Sequence, residues 1–280
     1  MDIDGYLFHL KARNLAPSTI KAAGEFLRPF ERVNDPLNAT KIEIQNYLGV
    51  MFDRCKPSTV WTAWRHLKGF YAWLEAEGDI EINPMNGVAR PVVPAVEIPV
   101  LQSNEIAALL ATCRGRAPID RRDLAIISLM LDTGLRLSEV VRLSLEDVGE
   151  TQTLRVFGKG RKWRTVALGN VSHQALMRWI RVQGETSGPL WAGIRGPLGA
   201  TGMRKMIQRR GQQAGLSLHP HMLRHTFVDN WLRNGGNEVD LARLAGWTTT
   251  RMAERYAQHR ANERAVTAHG SVRPLDSMIS

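Results

Sequence analysis

The sequence predicts a mainly α chain in two parts: a helical N-terminal part, and a mostly helical C-terminal part of mixed α/β class that carries one small antiparallel β element. Three observations predict it. Apolar residues recur every three or four positions through most of the chain, the spacing of one helix face. Only TLRVFGKGRKWRTVAL (153–168) alternates instead, with Gly-Lys-Gly at its middle, a hairpin signature. Four of the 13 prolines fall in the weakly charged stretch from Pro84 to Pro99, the composition of an extended connection. The expected organisation is therefore a domain over 1–83, a linker over 84–99 and a second domain over 100–280 that ends in a tail.

In the first part, LAPSTIKAAGEFLRPF opens a helix at Pro-Ser-Thr and sets Ile20, Ala23 and Leu27 on one stripe. Thr40 followed three residues later by Glu43 is a capping box for a helix over TKIEIQNYL. Val60, Trp64, Leu67, Tyr71 and Leu74 form the stripe of a long helix that Gly78 ends. The aromatic residues among them suit a core, and Arg54, Lys56, Arg65 and Lys68 on the other face suit contact with a polyanion. In the second part, helices are expected at SNEIAALLATC, at DRRDLAIISLMLDT (beginning at Asp120, with Asp123 three residues on, and stopping at Gly134), and then at 171–182, 202–214, 221–233, 239–245 and 249–259.

With 280 residues, 44% apolar and 23% charged, the composition is that of a globular protein of about two domains, which excludes disorder. The formal net charge is +10. Residues 1–100 carry 11 basic and 12 acidic side chains, against 26 and 15 in residues 101–280, so the second part holds the whole surplus. Of its 26 basic residues 23 are arginine, the planar side chain that grips phosphate bidentately. A basic surplus of this size points to a polyanionic partner. Leu124–Leu131, interrupted by Ser128, typifies the apolar runs and is far too short to span a bilayer, so no membrane association is expected. Asp2 and Asp4 do not suit a secretory signal. Cys55 and Cys113 form no CxxC pair, which speaks against a disulfide framework or thiolate zinc site and for a reducing, cytoplasmic compartment.

Four stretches hold side chains capable of chemistry. In LDTGLRLSEVVRL, Arg136 sits where one helix ends and the next begins, a place for an anion clamp or simply a surface arginine. In FGKGRKWR, Lys159 at the hairpin tip fits either a basic turn against a phosphate backbone or a proton donor; GxxxxGK[ST] is absent, which excludes a Walker loop. In LHPHMLRHTFVDNWL, helical spacing brings His221, Arg224 and His225 toward one face. These are capping or core histidines, or a phosphate site, or, with His221, His225 and Asp229 at i, i+4 and i+8, a zinc site. Arg224 beside a second cation argues against the zinc. In LARLAGWTTTRMAERYAQHR, Trp247 follows the helix-ending Gly246, and Tyr256 is one of only four tyrosines, a structural ring or a nucleophile.

Taken in order, Arg136, Lys159, His221 with Arg224, Trp247 and Tyr256 resemble the constellation of the tyrosine recombinases, the phage integrase family. TGLRLSEV resembles the family's first arginine motif, HPHMLRHTF its HxxR motif and LAGWTTTRMAERYAQH its tyrosine motif. RDLAIISLMLDTGLRLSEVVRLSLEDV is similar over nearly its whole length to the corresponding segment of Xer-type and phage members. The likeness is strong over about residues 100–260, and the helices before it resemble the family's SAM-like core-binding domain. Most members have His where this chain has Trp247, whose single N–H can donate to a phosphate oxygen but cannot act as acid or base.

The resemblance implies a DNA recombinase in which Tyr256 attacks the scissile phosphate to give a 3′-phosphotyrosine and a 5′-hydroxyl. It implies that Arg136 and Arg224 bind the non-bridging oxygens, Lys159 protonates the departing 5′-oxygen, His221 assists proton transfer from Tyr256, and Glu139 orients its neighbours. No cofactor or metal is implied, because the covalent link conserves the bond energy. Double-stranded DNA is the implied partner, with four protomers on two sites, accessory proteins as further partners, and a nucleoid location. The resemblance also implies a chain without the arm-binding domain of larger integrases, and a tail, ANERAVTAHG, that docks on a neighbour or frays. Two rival readings are a type IB topoisomerase-like relaxase, which shares the Arg–Lys–His–Tyr logic, and a DNA-binding regulator without chemistry, which does not explain the ordered set.

Overall fold

A computed structural model describes residues 3–94, 98–158, 162–193, 196–247, 249–250, 253–254, 256, 266 and 269. The chain divides into two compact units, Met1–Val96 and Glu97–Ser280.

The first unit is built on four helices, α1 (Ile3–Ala12), α2 (Pro17–Glu31), α3 (Lys41–Phe52) and α4 (Pro57–Glu77). Thr40 caps α3 as expected: its hydroxyl accepts from the Glu43 N–H and the Glu43 carboxylate accepts from the Thr40 N–H, so two orphan donors are satisfied at once. Helix α4 is the centre, with Val60, Ala63, Leu67, Phe70, Tyr71 and Leu74 buried, while Trp64 is half-buried at the edge of that core. The long aromatic stripe is thus mainly core, and Phe30, Phe70, Tyr71 and Trp73 pack edge-on or tilted against one another. Helix α1 carries no strong start signal and was not expected from the sequence; it is held by Ile3, Tyr6 and Leu10 in the same core. Part of the proline-rich stretch belongs to this unit. Met85 and Val88 are buried in its core, and the Trp64 indole N–H donates to the Val88 carbonyl.

The second unit contains α5 (Ser103–Ala111), α6 (Pro118–Thr133), α7 (Leu137–Val141), the hairpin strands β1 (Thr153–Phe157) and β2 (Trp163–Ala167), α8 (Asn170–Gln183), the short pair β3 (Ala192–Gly193) and β4 (Gly196–Pro197), α9 (Ala200–Gln213), α10 (Pro220–Arg233) and α11 (Glu238–Ala245). The expected hairpin pairs Thr153 with Ala167 through Phe157 with Trp163 and turns Leu154, Val156 and Val166 to the core. The β3–β4 pair, two residues a side, is too short to leave an alternation in sequence. Helix α6 is the hub of this unit. Its run of Ala125, Ile126, Ile127, Leu129 and Met130 is apolar all round because neighbours cover it on every side, α8, α9 and α10 among them.

Two details of α6 differ from the sequence reading. The helix begins at Pro118, which takes the first helical position where no N–H is needed, and not at Asp120. Asp120 and the fully buried Asp123 instead hold arginines. Arg122 and Arg209 donate to Asp123, and Arg210 donates to Asp120, Asp123 and the Thr112 carbonyl. This network ties α6 to α9 and to the end of α5. At its other end α6 stops at Gly134 as expected, with φ +62°. A Cβ there would lie 2.2 Å from a Phe227 ring carbon, so both the backbone and the packing against α10 require glycine.

Candidate active site

Local rules place each candidate side chain. Gly134 ends α6, Leu135 crosses, and Arg136 is the N-cap of α7, its side chain reaching from a fixed backbone. His219 is the N-cap of α10, its ring nitrogen Nδ1 accepting from the Met222 N–H; of the four residues crowded here it is the capping histidine. Pro220 starts the helix, which then carries His221, Arg224 and His225. Gly246, at φ +63°, ends α11 and delivers Trp247, and Tyr256 is helical.

The structure brings Arg136, His221 and Arg224 onto one cleft of about 580 Å³, which Arg204, Gln208 and His219 also line. Both arginines are tethered from behind by helix-end carbonyls. Arg224 is 3% exposed and donates to the Gly134 carbonyl (2.6 Å) and the Ala245 carbonyl (2.8 Å). Arg136 donates to the Gly246 carbonyl (3.2 Å) and to Glu139 (3.0 Å). The last carbonyls of α6 and α11 have no partner inside their helices and carry the negative end of the helix dipole, so a guanidinium there satisfies them and is oriented by them. Burial, and then the Arg136 charge, bring the Arg224 pKa down to about 10, which leaves it charged at neutral pH. Partial desolvation, then the Arg224 charge, with His219 and Arg136 adding to it, hold His221 below the ordinary histidine range, so its ring is neutral at pH 7.

Glu139 is 4% exposed and joins three groups. Its carboxylate accepts from the Arg136 N–H, from the Arg136 side chain and, through both oxygens, from Arg164 (2.9 Å each). Arg164 also donates to the Leu244 carbonyl, so one bidentate fork ties β2, α7 and the end of α11. Burial pulls the Glu139 pKa up, but hydrogen bonds from Arg164 and the Arg136 backbone, with both arginine charges, pull it down further, and the net shift is downward. Sequence reasoning named Glu139 and missed Arg164. A signal existed: Arg164 shares its strand face with the buried Val166, and a charge on the inward face of a strand needs a partner.

Glu139→Gln tests this clamp. It leaves two partly buried arginines facing each other across a neutral amide, and breaking such a pair costs about 3–5 kcal/mol. Because the Glu139 pKa is lowered on folding, its stabilisation is present above the unfolded carboxyl value and is lost as pH falls through the folded one. Urea unfolding is therefore expected to show a large deficit for the variant at pH 7 that shrinks in acid. A deficit that does not change with pH would mean that the carboxylate charge contributes nothing.

Trp247 lies under the Arg224 guanidinium, 5.2 Å from its ring centre, and stacks near-parallel on Tyr256 at 6.3 Å. Tyr256 is 5% exposed, packed with Phe227, Val228, Leu241 and Ala253, and its hydroxyl is hydrogen-bonded to His225 Nδ1. The His225 ring stacks on that of His221 with centres 5.1 Å apart. Three of the residues expected at the site thus share the cleft, and Trp247 and Tyr256 adjoin it through Arg224. Lys159 and most of the tail ANERAVTAHG lie outside the described residues. The zinc geometry is not built. The Asp229 carboxylate takes Arg233, and among the described residues no three His, Cys, Asp or Glu side chains converge to hold a metal.

The model of the phage integrase family matches residues 99–263. The chain is 32% identical over 254 residues to tyrosine recombinase XerC of Chromobacterium violaceum, covering 86% of this chain and 84% of that protein. It is 35% identical to tyrosine recombinase XerC of Pseudomonas aeruginosa over 185 residues, 64% of this chain and 61% of that one. Among solved structures, the Tn1549 transposon integrase in complex with transposon right end DNA superposes with a TM-score of 0.79 at 18% identity, covering 97% and 99% of the two chains. A lambda integrase dimer bound to a COC′ core site superposes at 0.76 and 19%, covering 89% and 95%. These two likenesses show the fold. Fold, site and relatives together define a site-specific DNA recombinase of the tyrosine class, and favour that reading over the relaxase and the regulator. The chain belongs to the phage integrase family.

Proposed function

We propose that this recombinase cuts and rejoins double-stranded DNA through a 3′-phosphotyrosine on Tyr256. The observation that carries it is the convergence of Arg136, His221 and Arg224 on one cleft, with Tyr256 stacked on the Trp247 ring beneath Arg224. The remaining N–H groups of the tethered arginines bind the two non-bridging oxygens as charge develops in the transition state, and the Trp247 N–H donates to one of them. The neutral His221 ring serves as a proton acceptor or donor at the same phosphate, and Lys159 protonates the departing 5′-oxygen. The exchange conserves one phosphodiester bond throughout, so its chemistry calls for no nucleoside triphosphate, cofactor or metal.

In this reading residues 1–83 form a core-binding domain, 84–99 a connection whose first part, with Met85 and Val88, packs into the first unit's core, and 100–280 the catalytic domain, and each domain contacts the duplex. The relatives solved on DNA, one of them a dimer on its core site, support a DNA partner and assembly on it. We extend this to four protomers on two sites, with accessory proteins, in the cytoplasm and on the nucleoid. Among the described residues no helix is long and apolar enough to cross a membrane.

The test begins by searching the DNA that flanks the gene for an inverted repeat, and uses a nicked duplex that bears it. Trapping of a protease-resistant peptide on the 3′ strand end, together with exchange between two such duplexes, is the expected result. Relaxation of supercoiled DNA without the repeat, and no exchange, would make the chain a relaxase.

A further inference from the structure

The geometry points to His225 as the base that takes the phenolic proton when Tyr256 attacks, which makes it a catalytic residue additional to the ordered set. The inference rests on the reading of Tyr256 as nucleophile. The four residues of the HxxR pattern, His221 to Arg224, are followed directly by His225. Here that histidine is hydrogen-bonded to the phenol oxygen through Nδ1. With its proton on Nε2, the neutral ring presents Nδ1 as an acceptor, so the contact is already set for transfer.

Two features hold the ring in that role. The helix fixes His225 one turn after His221, and the two rings stack within 18° of parallel. Tyr256 is fixed on its other face by the Trp247 ring, also within 18° of parallel. The phenol oxygen is thus held between a histidine pair and the ring that supports Arg224. The charged and titratable groups near His225 include His221 and Arg224 before it, Asp229 one turn on and paired with Arg233, and Tyr256 across from it.

The step balances. The Tyr256 oxygen forms its bond to phosphorus as the bond from phosphorus to the 5′-oxygen breaks. The phenolic proton passes to His225 Nδ1, and the departing oxygen takes a proton from the Lys159 ammonium. Religation runs the same transfers in reverse: the 5′-hydroxyl returns its proton to Lys159, and His225 returns its own to the phenol. The arrangement divides the work of the two histidines, leaving His221 to the phosphate in the cleft and His225 to the nucleophile.

The test is single-turnover cleavage of the nicked duplex across pH by the full chain, its His225→Asn variant and its Tyr256→Phe variant. Asparagine places an amide near the Nδ1 position but accepts no proton. His225→Asn is expected to bind the duplex normally, to cleave about 10²- to 10⁴-fold more slowly, and to lose the acid limb of the rate profile. A variant that cleaves at the parent rate, or slowly with the acid limb unchanged, overturns the role of His225. A covalent adduct formed by Tyr256→Phe overturns the nucleophile instead, and so separates the two failures. Should His225→Asn not fold, the parent chain with 3,5-difluorotyrosine at position 256 decides. An acid limb that stays in place supports a separate base, and one that moves down with the more acidic phenol shows the tyrosine ionising unaided and overturns the proposal.

Discussion

Replacement of Tyr256 by phenylalanine is expected to abolish strand cleavage while DNA binding survives. The change removes one oxygen and keeps the ring, so the stack on Trp247 and the packing against Phe227, Val228, Leu241 and Ala253 persist. The hydrogen bond to His225 is lost, at a cost to stability of about 0.5–1.5 kcal/mol. The loss of a covalent nucleophile has no such bound, because no neighbouring group can form the protein–phosphate bond in its place. Gel-shift affinity and adduct formation on the same nicked duplex separate the two effects. Equal loss of both would show that Tyr256 holds the fold of the site and does not attack.

Arg224→Lys is expected to cause the second largest loss. Charge is retained, but the planar fork is not. An ammonium cannot hold the Gly134 and Ala245 carbonyls and still present paired N–H groups to a phosphate. Loss of one preorganised donor to a developing oxyanion costs about 2.7–4 kcal/mol, or roughly 10²–10³ in rate. The helix-end carbonyl left unpaired costs about 1–3 kcal/mol of stability in addition. Cleavage rates on nicked duplex and urea unfolding of the same variant measure the two losses. A lysine variant that cleaves at the parent rate would remove Arg224 from the phosphate, however much stability it had lost.

The two arginines differ in how much of this was legible in the sequence. The place of Arg136 at a helix start is marked locally by Gly134 before it and Glu139 three residues on. The burial of Arg224 is not marked locally, since HMLRHTF reads equally well as an exposed basic turn of helix. Its environment is made by the ends of two other helices, 90 and 21 residues away in the chain. The same contrast separates the two ends of α6. Its stop at Gly134 depends on one residue's backbone. Its start was displaced because Asp120 and Asp123, good capping residues by type, are engaged by arginines of α9 some 90 residues on.

The sequence alone determined the helical character of both parts, the hairpin over 153–167, the capping box at Thr40, the stops at Gly78, Gly134 and Gly246, and the order of Arg136, His221, Arg224, Trp247 and Tyr256. The helix stripes, the capping box, the glycine stops and the strand alternation each depend on neighbours within about four residues, a range in which side-chain and backbone geometry are fixed by local dihedrals and spacing. Tertiary structure decided the rest. It brought Arg164 to Glu139 across 25 residues, Arg136 to the Gly246 carbonyl across 110, and Tyr256 to His225 across 31. Buried charges and helix-end carbonyls must find partners, but which partners they find is settled only when the packing of the apolar core brings distant segments together.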